Sequence, residues 1–279
     1  MAGPLLDGAG ETSSAHSIVL TVAYDGSHFS GIAPQTNART VSAVLKEAIR
    51  TMDPNLRGLR IASRTDSGVH ARGQVVAFDT ETRIAPRGWL LGLSGQLPPE
   101  VSVVNAARAK AGFDPSKRAI RKLYRYLILQ GSVRDPFYAD RAWRIFDPLS
   151  HALMQEEANA LLGEHDFKAF RGASDPRVNT RRTLERAALV TDEREPRLLA
   201  IEVVGNRFLF HMVRIIVGTL VDVGRARLAP GAVARALHSG DREDLGVTAP
   251  AEGLYLERIE LPDELEEQWP HHSKIPTVA

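Results

Sequence analysis

Apolar side chains recur along this chain at two spacings, one typical of strands and one typical of helices. Alternation predicts strands at residues 18–24, 61–62, 73–78, 124–129, 143–146, 184–190, 198–204 and 254–259. Helical spacing predicts helices at residues 41–49, 86–97, 149–162, 209–223 and 230–238, the first after a Thr40 N-cap. Strands that arrive singly and as hairpins, interleaved with helices, favour an α+β fold with antiparallel sheet over a doubly wound parallel sheet.

The same pattern divides the chain into two mixed units. Pro115 and the basic run around it mark a junction, which predicts an N-terminal α+β domain at 16–112 and a C-terminal one at 113–262. Residues 1–15 are rich in Gly, Ser and Ala and predict a disordered tail, and residues 263–279 predict a flexible one.

Composition narrows the class of protein. With 43% hydrophobic and 25% charged residues, the 279-residue chain is in the globular range. Cysteine is absent, which excludes disulfides, thiolate metal sites and a cysteine nucleophile. No apolar stretch approaches the roughly 18 residues of a membrane span, and the first residues lack a secretory signal. We expect a soluble, cytoplasmic protein with no membrane contact.

Charge is clustered although the formal net charge is only +1. Between Arg108 and Arg125 there are seven basic residues against one acid, Asp114. A second basic group comprises Arg171, Arg177, Arg181 and Arg182. Clustered Lys and Arg are suited to phosphate binding, because each contact releases counterions. A solvated surface face is the alternative for either cluster.

The chain lacks several catalytic motifs. There is no Gly-rich phosphate loop, no His-Glu-x-x-His and no nucleophile elbow, and no metal or nucleotide cofactor is indicated. What stands out is residues 63–70, Ser-Arg-Thr-Asp-Ser-Gly-Val-His, which set the carboxylate of Asp66 between a guanidinium and hydroxyls. Taken alone, Asp-Ser-Gly is typical of a turn whose carboxylate caps backbone amides.

Six blocks of sequence, in order, resemble one family. They are residues 24–27 with 39–41, residues 63–78, 124–126, 163–170 with 182–184, 208–218 and 249–256. Together they resemble the bacterial tRNA pseudouridine synthase A family across residues 17 to about 262. Six ordered matches favour a catalytic Asp66 over a turn cap.

The resemblance implies an isomerase. Family members convert uridine to pseudouridine without a cofactor, in the anticodon stem-loop of tRNA at positions 38 to 40. The implied fold is the pseudouridine synthase fold: two α+β domains with joined, mainly antiparallel sheets and the active-site cleft between them. The implied assembly is a homodimer in which one tRNA contacts both subunits.

The resemblance also implies roles for individual residues. Asp66 is the catalytic carboxylate, kept ionised by Arg214, since burial alone raises the pKa of an aspartate. Tyr124 contacts the base, Arg64 enters the space left by the flipped base, and Leu254 helps form an apolar wall. The alternatives are an Arg214 that snorkels from an amphipathic helix and a Tyr124 that is one more strand residue.

Four basic residues are predicted to contact tRNA: Lys117, Arg118, Arg177 and Arg72. His70 and Thr65 are predicted to support the catalytic loop rather than to transfer protons.

The chain departs from the family pattern at three positions. Ile32 replaces a Trp, Ser116 replaces an Arg in the stretch that contacts tRNA, and Ser94 replaces an Asn. The departures spare the proposed catalytic residues and bear on the choice of substrate. A paralogue that modifies another RNA or uridine-containing molecule, and a silent tRNA-binding module, therefore remain alternatives.

Overall fold

The computed structural model describes residues 15–263 and 265–269, and it contains one continuous sheet of eleven strands. The first six strands are β1 (His16–Tyr24), β2 (Arg60–Ile61), β3 (His70–Thr80), β4 (Val101–Lys110), β5 (Arg121–Gln130) and β6 (Trp143–Ile145). The other five are β7 (Gly163–Asp166), β8 (Arg181–Asp192), β9 (Glu195–Gly205), β10 (Leu254–Glu260) and β11 (Glu267–Trp269).

Six α-helices accompany the sheet. They are α1 (Val41–Met52), α2 (Pro86–Ser94), α3 (Pro115–Arg118), α4 (His151–Asn159), α5 (Met212–Gly224) and α6 (Ala232–Ser239). As predicted, α1 starts after Thr40, whose side chain accepts a hydrogen bond from the Ala43 N–H. In the described part of the chain, no helix has both the length and the apolar character needed to cross a membrane.

The order of strands joins the two halves of the chain. The sheet runs β11-β4-β1-β3-β10-β5-β9-β8-β7, with β2 added to β3 and β6 added to β5. The C-terminal strand β10 lies between β3 and β5, parallel to β3 and antiparallel to β5. Among the described strands, only the β3–β10 pair and the β5–β6 pair are parallel. The predicted α+β class with a joined, mainly antiparallel sheet is confirmed.

Three strands, β4, β7 and β11, were not expected from the hydrophobic pattern. β4 pairs with β1 along its full length, and its alanines give a weak strand signal. β11 pairs with β4 where a flexible tail is predicted from residue 263. There Arg108 forms an ion pair with Glu267 at 3.7 Å, and the Arg87 guanidinium lies over the Trp269 ring. The predicted tail at 1–15 lies almost entirely outside the described residues, and the predicted domain division stays a prediction.

Helix α5 is apolar on nearly every face and is buried against the rest of the molecule. It begins at Met212 rather than at residue 209. Gly218 lets this helix approach the chain that leads to β10, because a Cβ there would lie 1.7 Å from the Val247 carbonyl oxygen. The approach brings β10 and α5 together beside the same loop.

We therefore expect Gly218→Ala to destabilise the protein by about 1–3 kcal/mol or more, the usual effect of overpacking a close contact. The midpoint of urea unfolding measures this loss. Gly58→Ala is the matched control, because a Cβ at Gly58 meets no atom within 4 Å. Equal midpoints for the two variants would contradict the close approach.

Candidate active site

The loop that carries Asp66 connects β2 to β3 and is fixed by its backbone. The Thr65 carbonyl accepts a hydrogen bond from the Ile32 N–H at 3.3 Å. Gly31 (φ 83°) has no side chain to clash with that carbonyl, which a Cβ would approach to 2.5 Å. The Thr65 hydroxyl is 2.7 Å from the Tyr24 hydroxyl in the core. These contacts hold the loop in one position without using the carboxylate of Asp66.

The carboxylate of Asp66 faces two side chains from the start of α5. Its Oδ2 lies 3.7 Å from Arg214 Nη1 and 3.4 Å from His211 Nε2. The side chain of Asp66 is 25% exposed and that of Arg214 is 16% exposed, so the pair is partly withdrawn from water. The structure therefore brings together the residues that the resemblance pairs as carboxylate and cation.

Arg214 is held in place by the segment before β10. Its Nε donates to the Ala249 carbonyl at 2.7 Å, and its own carbonyl accepts from the Ala249 N–H at 3.0 Å. The guanidinium is therefore fixed on one side and presents Nη1 to Asp66 on the other. This geometry differs from that of an arginine that snorkels to solvent.

His211 was not among the predicted site residues. Its backbone has φ of 60°, the left-handed region, just before α5 begins. Its ring stacks on Phe210 with centroids 3.7 Å apart. The one sequence signal is the spacing in His-Met-Val-Arg, which sets His211 a helical turn before Arg214.

The charges at Asp66 act against each other. Burial raises the pKa of Asp66 above its usual range, while the His211 imidazole and the Arg214 guanidinium oppose that rise. Burial also lowers the pKa of His211, and the charge of Arg214 lowers it further. Burial therefore makes Asp66 more basic than an exposed aspartate. It makes His211 less basic than an exposed histidine.

Tyr124 projects from β5 into the same site. Its hydroxyl is 3.0 Å from the Ser63 hydroxyl, and its ring meets Phe208 edge to face at 4.9 Å. Burial raises the pKa of Tyr124 to about 12, so it stays a neutral phenol near pH 7. Lys122, a further residue that the sequence analysis missed, donates to Ser63 Oγ at 3.0 Å. Burial lowers the pKa of Lys122 to about 8.

These side chains line a cleft with a volume of about 1010 Å³. Of the predicted site residues, the cleft is lined by Asp66, Arg214, Tyr124, Arg64, Leu254 and Arg177. The described residues contain no group of three or more His, Asp and Glu side chains that could hold a metal ion.

Three of the predicted RNA contacts lie outside the cleft lining. Arg72 is on β3, 3.8 Å from Glu257, with its guanidinium over the Tyr255 ring. Lys117 and Arg118 are exposed on α3. Ser116, from the same helix, does line the cleft, but its hydroxyl donates to Asp114 at 2.7 Å. The position that holds an arginine in the family pattern therefore offers no cation here.

His70, the first residue of β3, bonds to three segments outside the catalytic loop, and its supporting role stays a prediction. Its Nδ1 accepts from the Gly26 N–H at 3.1 Å, which leaves the proton on Nε2. Nε2 lies 2.9 Å from the Asp140 carbonyl and 3.1 Å from the Glu252 carbonyl. Burial lowers the pKa of His70, and the Asp25 carboxylate, 3.3 Å from Nδ1, opposes that fall.

A family model described as tRNA pseudouridine synthase matches residues 20–114 and 158–262, more than half of the chain. The matched segments contain Asp66, Arg214 and Leu254, and Tyr124 lies between them. A protein named tRNA pseudouridine synthase A from Pelobacter propionicus is 42% identical over 240 residues, which are 86% of this chain and 97% of that protein. One of the same name from Moorella thermoacetica is 38% identical over 243 residues, 86% of this chain and 98% of that protein.

Among solved structures, the crystal structure of a Cbf5-Nop10-Gar1 complex matches 74% of this chain and 45% of that chain, with a TM-score of 0.33 and 14% identity. This chain thus spans less than half of the length of that structural match. The sequence matches cover far more. By them, the chain belongs to the tRNA pseudouridine synthase family, which are isomerases that act on RNA.

Proposed function

We propose that this protein isomerises uridine to pseudouridine in the anticodon stem-loop of tRNA, at positions 38 to 40. The observation that carries the proposal is the Asp66 carboxylate, held opposite Arg214 in a cleft of about 1010 Å³. The similarity to proteins named tRNA pseudouridine synthase A supports tRNA as the substrate. The specific positions follow from the family resemblance of the catalytic block.

The reaction rearranges one nucleotide and needs no added atoms. The bond from uracil N1 to ribose C1′ breaks, C5 joins C1′, and a proton moves from C5 to N1. Asp66 supplies the carboxylate that starts this exchange, by attack at C1′, by attack at C6 or by removal of a ribose proton. Each route needs the ionised form. The charge of Arg214 favours that form against the cost of burial, and His211 does so when its imidazole is protonated.

The base must leave its stack to reach Asp66, which costs a few kcal/mol. Tyr124 and Leu254 both line the cleft and supply the stacking face and an apolar wall that recover part of this cost. Because Tyr124 remains a phenol, it can stack and donate a hydrogen bond without carrying charge. Arg64 is exposed beside Asp66, where its guanidinium can fill the gap left by the flipped base.

We further propose that the enzyme works as a homodimer in the cytoplasm, with Lys117, Arg118, Arg177 and Arg72 as contacts to tRNA. The position of Ser116 favours a second candidate function. Residue 116 is a serine whose hydroxyl donates to Asp114, so the cleft lacks the family's arginine there. A paralogue with a different RNA substrate would accommodate that change.

Purified protein incubated with unmodified tRNA should form pseudouridine at positions 38, 39 or 40, mapped by chemical probing. Asp66→Asn should lower the rate by at least about a thousandfold, because the amide cannot act as nucleophile or base. Asp147→Asn is the matched control, since Asp147 is half-exposed at the surface. Binding of tRNA by Asp66→Asn without loss of turnover would refute the catalytic role, and product at other uridines alone would favour the paralogue.

The rate should depend on the ionisation of Asp66. Because burial raises the pKa of Asp66, the rate should begin to fall at a higher pH than it would with an exposed aspartate. His211→Gln removes a charge that opposes the rise once the imidazole is protonated. The acid limb of the single-turnover rate should therefore move to higher pH. The exposed His238 on α6 gives the control His238→Gln, and an unmoved limb in His211→Gln would contradict the coupling.

The double variant Lys117→Ala with Arg118→Ala tests whether α3 contacts tRNA. Loss of two phosphate contacts should weaken binding and flatten the plot of log Kd against log salt by about 0.7–0.9 per contact. Filter binding across a salt series measures both quantities. Replacing Lys168 and Arg235 with alanine controls for the loss of two surface charges. An unchanged slope would remove α3 from the interface.

A further inference from the structure

Four cations from separate parts of the chain lie close enough to act on one another, and they are here named the basic cluster: Lys122, Arg177, Arg182 and Arg207. Lys122 on β5 is paired in register with Gly205 of β9, and the chain reaches Arg207 just after that strand. Arg182 is on β8, beside the end of β9, and Arg177 is on the segment that precedes β8. Lys122 and Arg177 line the cleft together with Asp66.

The protein neutralises the basic cluster only in part. Lys122 Nζ donates to the Ala62 carbonyl at 3.1 Å and to Ser63 Oγ at 3.0 Å, both uncharged. Arg177 forms an ion pair with Asp175 at 2.9 Å. Within residues 15–263 and 265–269, no ion pair inside 4.0 Å joins a carboxylate to Lys122, Arg182 or Arg207. Three of the four charges thus lack a counter-ion in contact.

The cations also repel one another, and some of them are partly buried. Arg182 is 7% exposed, and its buried Nε has no hydrogen-bond partner. Burial lowers the pKa of Arg182, and the charges of Arg177 and Arg207 lower it further. The same causes act on Lys122, whose pKa falls to about 8. Burying a cation without an anion costs free energy, so this arrangement favours binding of an anion.

We propose that the basic cluster binds one phosphate group of the RNA backbone next to the reacting uridine. This inference rests on the proposed function and specifies how its substrate is held. A phosphate accepts hydrogen bonds from several cationic donors at once, which suits a lysine surrounded by guanidinium groups.

The position of the cluster matches a flanking phosphate. Ser63 lies between Lys122 and Tyr124, accepting from the first and bonded to the second at 3.0 Å. A base stacked on Tyr124 therefore has its own sugar–phosphate backbone within reach of Lys122. The cluster and the platform for the base then recognise two parts of one nucleotide.

The first test measures tRNA binding in the Asp66→Asn background, which prevents turnover. Lys122→Met and Arg207→Gln should each weaken binding about tenfold at low salt and reduce the salt slope by about 0.7–0.9. Arg207 is exposed, so its variant does not depend on refolding of the core. Lys168→Met, exposed elsewhere on the surface, is the matched control. Unchanged slopes in Lys122→Met and Arg207→Gln overturn the proposal.

The second test locates the phosphate. Uridine 3′,5′-bisphosphate should compete with tRNA at lower concentration than uridine does, and Lys122→Met should remove that advantage. If the wild type shows no advantage, or Lys122→Met keeps it, the phosphate next to the uridine is not the ligand. Pseudouridine mapping on the wild type stays independent of both tests. Normal pseudouridine formation by the wild type, with unchanged salt slopes in the variants, rejects the role of the basic cluster alone. Reduced salt slopes in the variants, without pseudouridine formation by the wild type, reject the proposed function alone.

Discussion

The charge balance of the cleft depends on the ion pair between Asp66 and Arg214, which joins the loop before β3 to helix α5. Withdrawing a carboxylate from water favours its protonated form, and a nearby guanidinium restores the charged one. Arg214 is positioned for this because the backbone of Ala249 forms hydrogen bonds with both the side chain and the backbone of Arg214. The close approach of Gly218 to the chain after residue 246 makes that contact possible. A reactive group, a helix and the strand β10 are therefore positioned by one set of contacts.

Much of the fold could be predicted because its hydrophobic periods are strong. The long strands β1, β3, β5, β8, β9 and β10 and the helices α1, α2, α4, α5 and α6 fall where the pattern places them. Strand β4 escaped because Ala106, Ala107 and Ala109 bury little area each and its Arg108 was counted with a charge cluster. β11 is three residues long and is a strand only because β4 presents an edge to it. Neither signal exists without the tertiary structure.

Residue type and family order together predicted one site for Asp66, Arg214 and Tyr124, and all three line the same cleft. His211 and Lys122 were missed for two different reasons. His211 reaches Asp66 because its backbone adopts φ of 60°, which no composition rule predicts for a histidine. Lys122 is one of several cations in a basic run, and only the register of β5 against β9 separates it from its exposed neighbours. Chemistry at this site depends on backbone conformation and strand register as much as on motif.

The two sides of the cleft differ in how charge is balanced. At Asp66 one carboxylate faces the Arg214 guanidinium and the His211 imidazole, and burial affects its pKa more than either of them. Around Lys122, Asp175 is the carboxylate in contact with a cation of the basic cluster within the described residues, and it pairs with Arg177. A neutral uracil attached to an anionic backbone matches this division, since its base adds no charge beside Asp66 and its phosphate supplies what the other side lacks. In the proposed binding mode Ser116 supplies no guanidinium, so the phosphate contact falls to the basic cluster. Recognition of the nucleotide and activation of the carboxylate are then separate electrostatic problems solved in one cleft.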